Sequence, residues 1–177
     1  DILYMSAIER GKMKISQELF NFKKMLSELV TVFYQQSKHK GVDFHLSMYS
    51  VTEEMLVGDE LRISQIIMNL LSNSIKFTPP GGSVHFKITQ IFHTEEEVIM
   101  RFEVSDTGIG MSEEMLSRLF SPFEQQDSSI TRKYGGSGLG MAITKNLTTL
   151  MNGHISVESK LHEGTHFTVE LPLQVAQ

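Results

Sequence analysis

Hydrophobic and polar positions along this chain alternate between two periods, and each period marks an element. Residues 22–39 carry Phe22, Met25, Leu26, Leu29, Val30 and Phe33, the three- and four-residue spacing of a helix with one apolar face, and Gly41 ends it. Phe44 to Tyr49 alternates and predicts a strand. Residues 60–77 predict the clearest helix, with Leu61, Ile63, Ile66, Ile67, Leu70, Leu71 and Ile75 on a broad face and Pro79-Pro80-Gly81-Gly82 as its stop. Two alternating runs, Ser83–Phe92 and Val98–Ser105, flank Glu95-Glu96-Glu97 and predict a β-hairpin. The pattern loosens from Met111 to Tyr134, apart from a short helix over Ser112–Leu119 that Ser112 and Glu113 suit as a start. A helix follows at about Leu139–Met151, then strands at 154–159 and Thr165–Leu171, each preceded by a glycine turn. Residues 1–13 open with helical spacing of Ile2, Met5 and Ile8, with Gly11 as a stop, but are too short to hold a helix alone.

No βαβ unit repeats, so a doubly wound parallel sheet does not fit. The expected fold is α/β: a two-layer α/β sandwich in which one mixed sheet of about five strands carries three helices on one face. The polar stretch 120–138 is long for a connection inside a compact domain, and such loops are usually functional, often as lids.

Composition narrows the chemistry. The 177 residues are 40% hydrophobic and 21% charged, enough for one globular domain with a full core. No apolar run approaches the ~20 residues of a membrane span, and no signal-like start is present. The first residue is Asp1 rather than Met, so we expect a piece of a longer protein. There is no cysteine, which excludes disulfide scaffolds, thiolate zinc sites and thiol catalysis and suits a cytosolic setting. A net charge of −5 argues against nucleic acid as a partner. The seven histidines are scattered without metal-ligand spacing.

Three stretches carry the candidate chemistry. Asn69, Asn73 and Lys76 share one face of the 60–77 helix. Amide oxygens are hard ligands that suit Mg²⁺, and a lysine places charge beside a phosphate. By itself the trio reads equally as a solvated helix face. Asp106 closes the run Met100-Arg-Phe-Glu-Val104, in Asp106-Thr-Gly-Ile-Gly110. Its carboxylate only accepts hydrogen bonds, which matches the exocyclic amine of adenine and not the oxygen of guanine. Gly108 and Gly110 permit positive φ and close backbone approach to a purine. The alternative is a plain Asp-x-Gly turn. Gly135-Gly136-Ser137-Gly138-Leu139-Gly140 opens a helix whose free N–H groups and dipole favour phosphate, or else forms a hinge. Met141 follows, so it is not a Walker A loop, and no strand precedes it as in a Rossmann fingerprint. Arg132 and Lys133 just upstream are placed to reach a γ-phosphate. Phe120-Ser-Pro-Phe123 reads first as an anchor of the loop on the core.

Taken together, these stretches resemble the catalytic and ATP-binding domain of sensor histidine kinases, within the larger group shared by gyrase, Hsp90 and MutL. Asp59 through Thr78 resembles the N box, Asp106–Gly110 the G1 box, Phe120 through Asp127 the F box, Thr131 through Ala142 the G2 box, and Thr165 through Pro172 the closing strand. Residues 1–18 resemble the end of a dimerisation helix and its linker, leaving 19–177 as the ATP-binding domain. The wording Phe123-Glu-Gln-Gln-Asp127 resembles hybrid kinases, which carry a receiver domain downstream.

The resemblance implies the Bergerat fold, with ATP and Mg²⁺ as cofactors. It places Asp106 on the adenine amine, Asn73 on the metal, and Asn69 beside metal and phosphates. Lys76, Arg132, Lys133 and the turn Gly136, Ser137, Gly138, Leu139 and Gly140 hold phosphates, and Thr165 joins the nucleotide site. Asn69, Lys76 and Arg132 are the expected catalytic groups. Expected partners are the histidine-bearing dimerisation domain of a homodimeric, membrane-bound parent and a response regulator or receiver domain, with no direct membrane contact by this piece. Departures are Ser74 where Ala is usual, Ser137 where Thr is usual and Met141 where Leu is usual. Gyrase-like ATPases carry a Glu base where this chain has Asn69, and an amide takes no proton near neutral pH. That counts against an ATPase, and residues 1–13 count against a serine kinase of the same group. A dead binding module would need Asn73, Asp106 or a G2-box glycine lost, and all are present. No histidine sits in an acceptor context, so this chain is expected to bind ATP without phosphorylating itself.

Overall fold

A computed structural model describes residues 14–121 and 140–177. The elements run β1 (Glu18–Asn21), α1 (Phe22–Lys40), β2 (Asp43–Tyr49), β3 (Met55–Gly58), α2 (Glu60–Lys76), β4 (Ser83–His93), β5 (Glu97–Asp106), α3 (Glu113–Ser117), α4 (Gly140–Leu150), β6 (His154–Lys160) and β7 (Gly164–Val175). The strands form one mixed sheet in the order β1-β3-β7-β5-β4-β2, with β6 also paired to β7. Among the described strands only β2 and β4 pair in parallel, from Asp43↔Ser83 to Tyr49↔Thr89. The α/β sandwich is as expected, but the sheet has seven strands rather than about five. The two extra are β1 and β3, four residues each, paired with one another from Glu18↔Gly58 to Asn21↔Met55. A four-residue strand holds only two positions per face, too few for alternation to show.

One face of the sheet makes the core. Phe86 and Ile88 of β4, Met100, Phe102 and Val104 of β5, and Phe167, Val169 and Leu171 of β7 are wholly buried, and the strand registers bring them side by side. Phe86 and Phe102 stack with ring centroids 6.4 Å apart. The opposite face is polar, with the pairs Arg101–Glu170 at 2.8 Å and Lys87–Glu103 at 3.7 Å. Helices α1, α2 and α4 cover the apolar face, α2 lying between the other two and touching β5 and β4. Ile63, Ile66, Ile67, Leu70 and Leu71 of α2 are fully buried, each worth about 2 kcal/mol of apolar transfer. No described helix is long and apolar enough to cross a membrane.

The helix ends obey their local chemistry. Asn21 caps α1 by accepting from Lys24 N–H at 2.9 Å. Gly41, at φ +83°, closes it, its N–H donating to the Lys38 carbonyl. Asp59, only 6% exposed, caps α2: one carboxylate oxygen accepts from Arg62 N–H and the other from Ser16 N–H. The short expected helix is α3, with Ser112 as its cap.

Candidate nucleotide site

Helix α2 ends where the Asp106–Gly110 loop begins, and the two are joined through backbone. Ile109 N–H donates to the Phe77 carbonyl at 3.1 Å, one residue beyond α2. The loop is held from its other side by the β6–β7 turn. His162 N–H donates to the Ile109 carbonyl at 2.7 Å, and Met111 N–H donates to Ser159 Oγ at 2.8 Å. That hydroxyl in turn donates to the Gly164 carbonyl at 2.9 Å. The glycines make room for this clamp. A Cβ on Gly108 would stand 2.4 Å from the Phe77 oxygen, and one on Gly110 would stand 2.0 Å from the Lys160 oxygen. Gly110 does adopt positive φ, at +67°, whereas Gly108 does not. The close neighbours of both are therefore protein backbone, a demand additional to any approach to a purine.

Asp106 ends β5 on the face that carries Phe102 and Val104. Its Oδ1 accepts from Gly108 N–H at 2.9 Å and Thr165 N–H at 3.2 Å. Its Oδ2 has no hydrogen-bond partner among the described residues. Burial pushes the carboxyl above its ordinary value, against the opposing pull of Gly108 N–H, the neighbouring Ser74 hydroxyl and Thr165 N–H. Ser74 is 1% exposed, and its Oγ makes no hydrogen bond of ordinary geometry. A half-buried acceptor and an unsatisfied buried hydroxyl side by side describe a place prepared for a polar ligand. Asp106 and Thr165, with Met111, Leu116 and Leu161, line a cleft of about 940 Å³. Thr165 enters through its N–H, while its Oγ1 is shared with Ser159 at 2.9 Å.

On α2, Asn69 and Asn73 are half-buried rather than solvated. Asn69 Nδ2 donates to the Gly140 carbonyl at 3.2 Å and to Thr144 Oγ1 at 3.1 Å. With its nitrogen so committed, Oδ1 is the atom turned to other work. Asn73 accepts from Phe77 N–H through its backbone carbonyl, and its side chain makes no hydrogen bond among the described residues that would compete with a metal. The described residues contain no cluster of three or more His, Cys, Asp or Glu able to hold a metal. Neutral amide oxygens fit Mg²⁺ that shares its shell with phosphate and water, and do not fit a metal caged by protein alone. Lys76 is the last residue of α2. The cleft lining includes neither asparagine, so within the described residues the base end and the amide end are linked through α2 and the Asp106–Gly110 loop.

Gly140 begins α4, and no described atom lies within 4 Å of where its Cβ would stand. Arg132, Lys133, Gly136, Ser137, Gly138 and Leu139, Phe123 and the rest of the expected F box, and the segment 1–13 lie outside the described residues. Phe120 is described, and it packs partly against the core as an anchor would, with the Lys145 ammonium 6.0 Å from its ring centroid. Sequence reasoning missed Thr144, Ser159 and Lys40 as site-building groups. Their contacts join positions far apart in the chain. Lys40 alone left a signal, as a cation in the last turn of a helix.

Residues 58–175 match the family described as histidine kinase-, DNA gyrase B-, and HSP90-like ATPase. The autoinducer 2 sensor kinase/phosphatase LuxQ of Vibrio vulnificus is 43% identical over 98% of this chain and 20% of its own length. The hybrid signal transduction histidine kinase L of Dictyostelium discoideum is 41% identical over 95% of this chain and 10% of its own. Full-length ShkA, solved in complex with AMPPNP, superposes with a TM-score of 0.79 at 26% identity, covering 99% of this chain and 35% of that one. The chain thus spans about a fifth or less of these curated relatives. Its ordered motifs, sandwich fold and matching relatives make it a member of the histidine kinase-, DNA gyrase B- and HSP90-like ATPase family, on the histidine kinase branch.

Proposed function

We propose that this domain binds Mg-ATP and donates its γ-phosphate to a histidine on a dimerisation domain elsewhere in a longer parent protein. The observation that carries the reading is the Asp106 carboxylate. It is half-buried, its Oδ1 is saturated by Gly108 and Thr165, and its Oδ2 is left for a donor, which the exocyclic amine of adenine supplies and guanine does not. Asn73 and Asn69 hold Mg²⁺ through Oδ1, and the metal neutralises phosphate charge when bound. Lys76, Arg132 and Lys133 hold the phosphates, with the N–H groups of 136–140. Asn69 offers no base toward water, so hydrolysis is slow and the phosphoryl group awaits a better nucleophile. The stretch 1–18 is the end of the dimerisation helix and its linker, 19–177 is the catalytic domain, and a response regulator or receiver domain takes the phosphate next. The parent is a membrane-bound homodimer with this domain on the cytoplasmic side.

Calorimetry tests the site: Mg-ATP binds, GTP does not, and removal of Mg²⁺ weakens ATP. Absence of adenine-nucleotide binding at millimolar concentration overturns the assignment. A longer protein reaching upstream, incubated with γ-labelled ATP, acquires acid-labile label if histidine is the acceptor and acid-stable label if serine is.

A further inference from the structure

The C-terminal turn of α2 is gripped from outside by a residue that no motif of the site contains. Lys40, the last residue of α1, donates from Nζ to the carbonyls of Ile75 at 2.7 Å and Lys76 at 2.8 Å. These are among the carbonyls that a helix end leaves without intrahelical donors, and they form the negative pole of its dipole. The loops beside this contact are also stitched together. Gly81 N–H donates to the Gly41 carbonyl at 2.8 Å, and Asp43 N–H donates to the Gly82 carbonyl at 2.9 Å. On the far side of the same turn, Phe77 N–H donates to the Asn73 carbonyl and the Phe77 carbonyl receives Ile109 N–H. Residues 75–77 are therefore held by Lys40 from α1 and by the Asp106–Gly110 loop from β5. The last turn of α2, whose end these two grips hold, contains Asn73 and Lys76.

We infer that Lys40 is a positioning residue for the metal and phosphate end of the nucleotide site, acting through the last turn of α2. This rests on the reading of that site as Mg-ATP binding. Burial pulls the Lys40 pKa below the ordinary lysine value, while the two carbonyls are acceptors that favour the ammonium form. The ammonium is held at the Ile75 and Lys76 carbonyls and so adds positive charge to the helix end that carries the Lys76 side chain. Without it the Lys76 carbonyl loses this donor, the Ile75 carbonyl keeps only the longer bond from Thr78 N–H at 3.3 Å, and the turn loosens. Asp106 remains fixed by Gly108 and Thr165, which Lys40 does not touch. The consequence is selective, falling on phosphate and metal and sparing the base.

The test compares Mg-ATP, by calorimetry, with adenosine, by NMR titration, in wild type, Lys40→Met and Lys40→Arg. Lys40→Met is expected to weaken Mg-ATP roughly tenfold, the scale of losing charged hydrogen bonds at a helix end. Adenosine affinity should stay within about twofold, and Lys40→Arg should recover most of the loss because it keeps charge and donors. If Lys40→Met does not fold, Lys40→Gln and Lys40→Arg are read in the same way. Equal losses for Mg-ATP and adenosine would show a merely structural role and overturn the inference, as would unchanged Mg-ATP affinity. A wild type that binds neither compound overturns the site reading itself, a result distinct from failure at Lys40 alone.

Discussion

Asn69 Nδ2 donates to Thr144 Oγ1 across 3.1 Å, joining the helix of the proposed metal site to the helix that follows the glycine cluster. Thr144 is fully buried, and its hydroxyl also donates to the Gly140 carbonyl at 2.8 Å. The three groups form a closed set in which each hydrogen bond fixes the next. Asn69 is thereby oriented by α4, and the start of α4 is anchored by α2.

Thr144→Val keeps the side-chain shape and removes the hydroxyl. Asn69 Nδ2 retains only the Gly140 carbonyl, and the amide becomes freer to rotate. We expect about 1 kcal/mol of lost stability in urea denaturation, together with weaker Mg-ATP binding and little change for adenosine. Unchanged Mg-ATP affinity in a folded Thr144→Val protein would refute the orienting role.

Asp106→Asn separates stability from binding. Burial raises the carboxyl's pKa in the folded state above the ordinary 3.8. Between that value and the raised one the native protein holds a proton that the unfolded chain has released. Its contribution to stability is thus complete below the ordinary value and is lost as pH rises through the folded one. The asparagine keeps the oxygen that accepts from Gly108 and Thr165 and carries no charge to desolvate. The ligand-free variant should match or exceed wild-type stability at neutral pH, and the difference should narrow in acid. ATP affinity should fall roughly 10- to 100-fold, the value of a hydrogen bond to a charged group. Thermal melts at several pH values, with and without ATP, check both halves. A variant less stable than wild type at neutral pH would contradict the sign.

The parts of this molecule that were legible in the sequence are those written in short repeats. The helix of Asn69, Asn73 and Lys76 showed itself through Ile66, Leu70 and their neighbours, and the central strands through alternation such as Val98, Met100, Phe102 and Val104. The strands Glu18–Asn21 and Met55–Gly58 were not, because their identity lies in pairing with each other and with the end of β7. Family resemblance pointed to the carboxylate and amides. It said nothing of how they are held, because the grips of Lys40 on Ile75 and of Thr144 on Asn69 span 35 and 75 residues. Such contacts depend on the three helices lying side by side, which no local pattern encodes.

Two glycines of the motifs should respond oppositely to alanine. Gly110 sits at φ +67°, with the Lys160 oxygen 2.0 Å from the position of an added Cβ. The left-handed conformation alone costs ~1–2 kcal/mol, and the clash forces the β6–β7 turn away from the loop. We expect Gly110→Ala to lose ~3 kcal/mol or more and to weaken ATP. Gly140 has open space among the described residues and begins a helix, so Gly140→Ala should be neutral or stabilising by ~0.5 kcal/mol. Chemical denaturation of the pair is decisive: similar losses at both sites would mean that the backbone clamp on Ile109 is not what Gly110 serves.

Ser74 is buried beside Asp106, and its Oγ makes no hydrogen bond of ordinary geometry. A hydroxyl buried without a partner costs ~1–3 kcal/mol, and alanine is the better helix former by about half a kcal/mol. The same hydroxyl, beside Asp106, favours the ionised carboxylate. Ser74→Ala should therefore stabilise the ligand-free protein by ~1 kcal/mol and move the Asp106 carboxyl still higher. Urea denaturation measures the first effect, and carboxyl ¹³C NMR titration of Asp106 the second. A destabilised Ser74→Ala protein would mean that the hydroxyl is satisfied after all, and an unmoved Asp106 titration would mean that it does not act on the carboxylate. If both effects appear, Ser74 weakens the empty site while keeping its acceptor charged, as a residue that serves the bound state would.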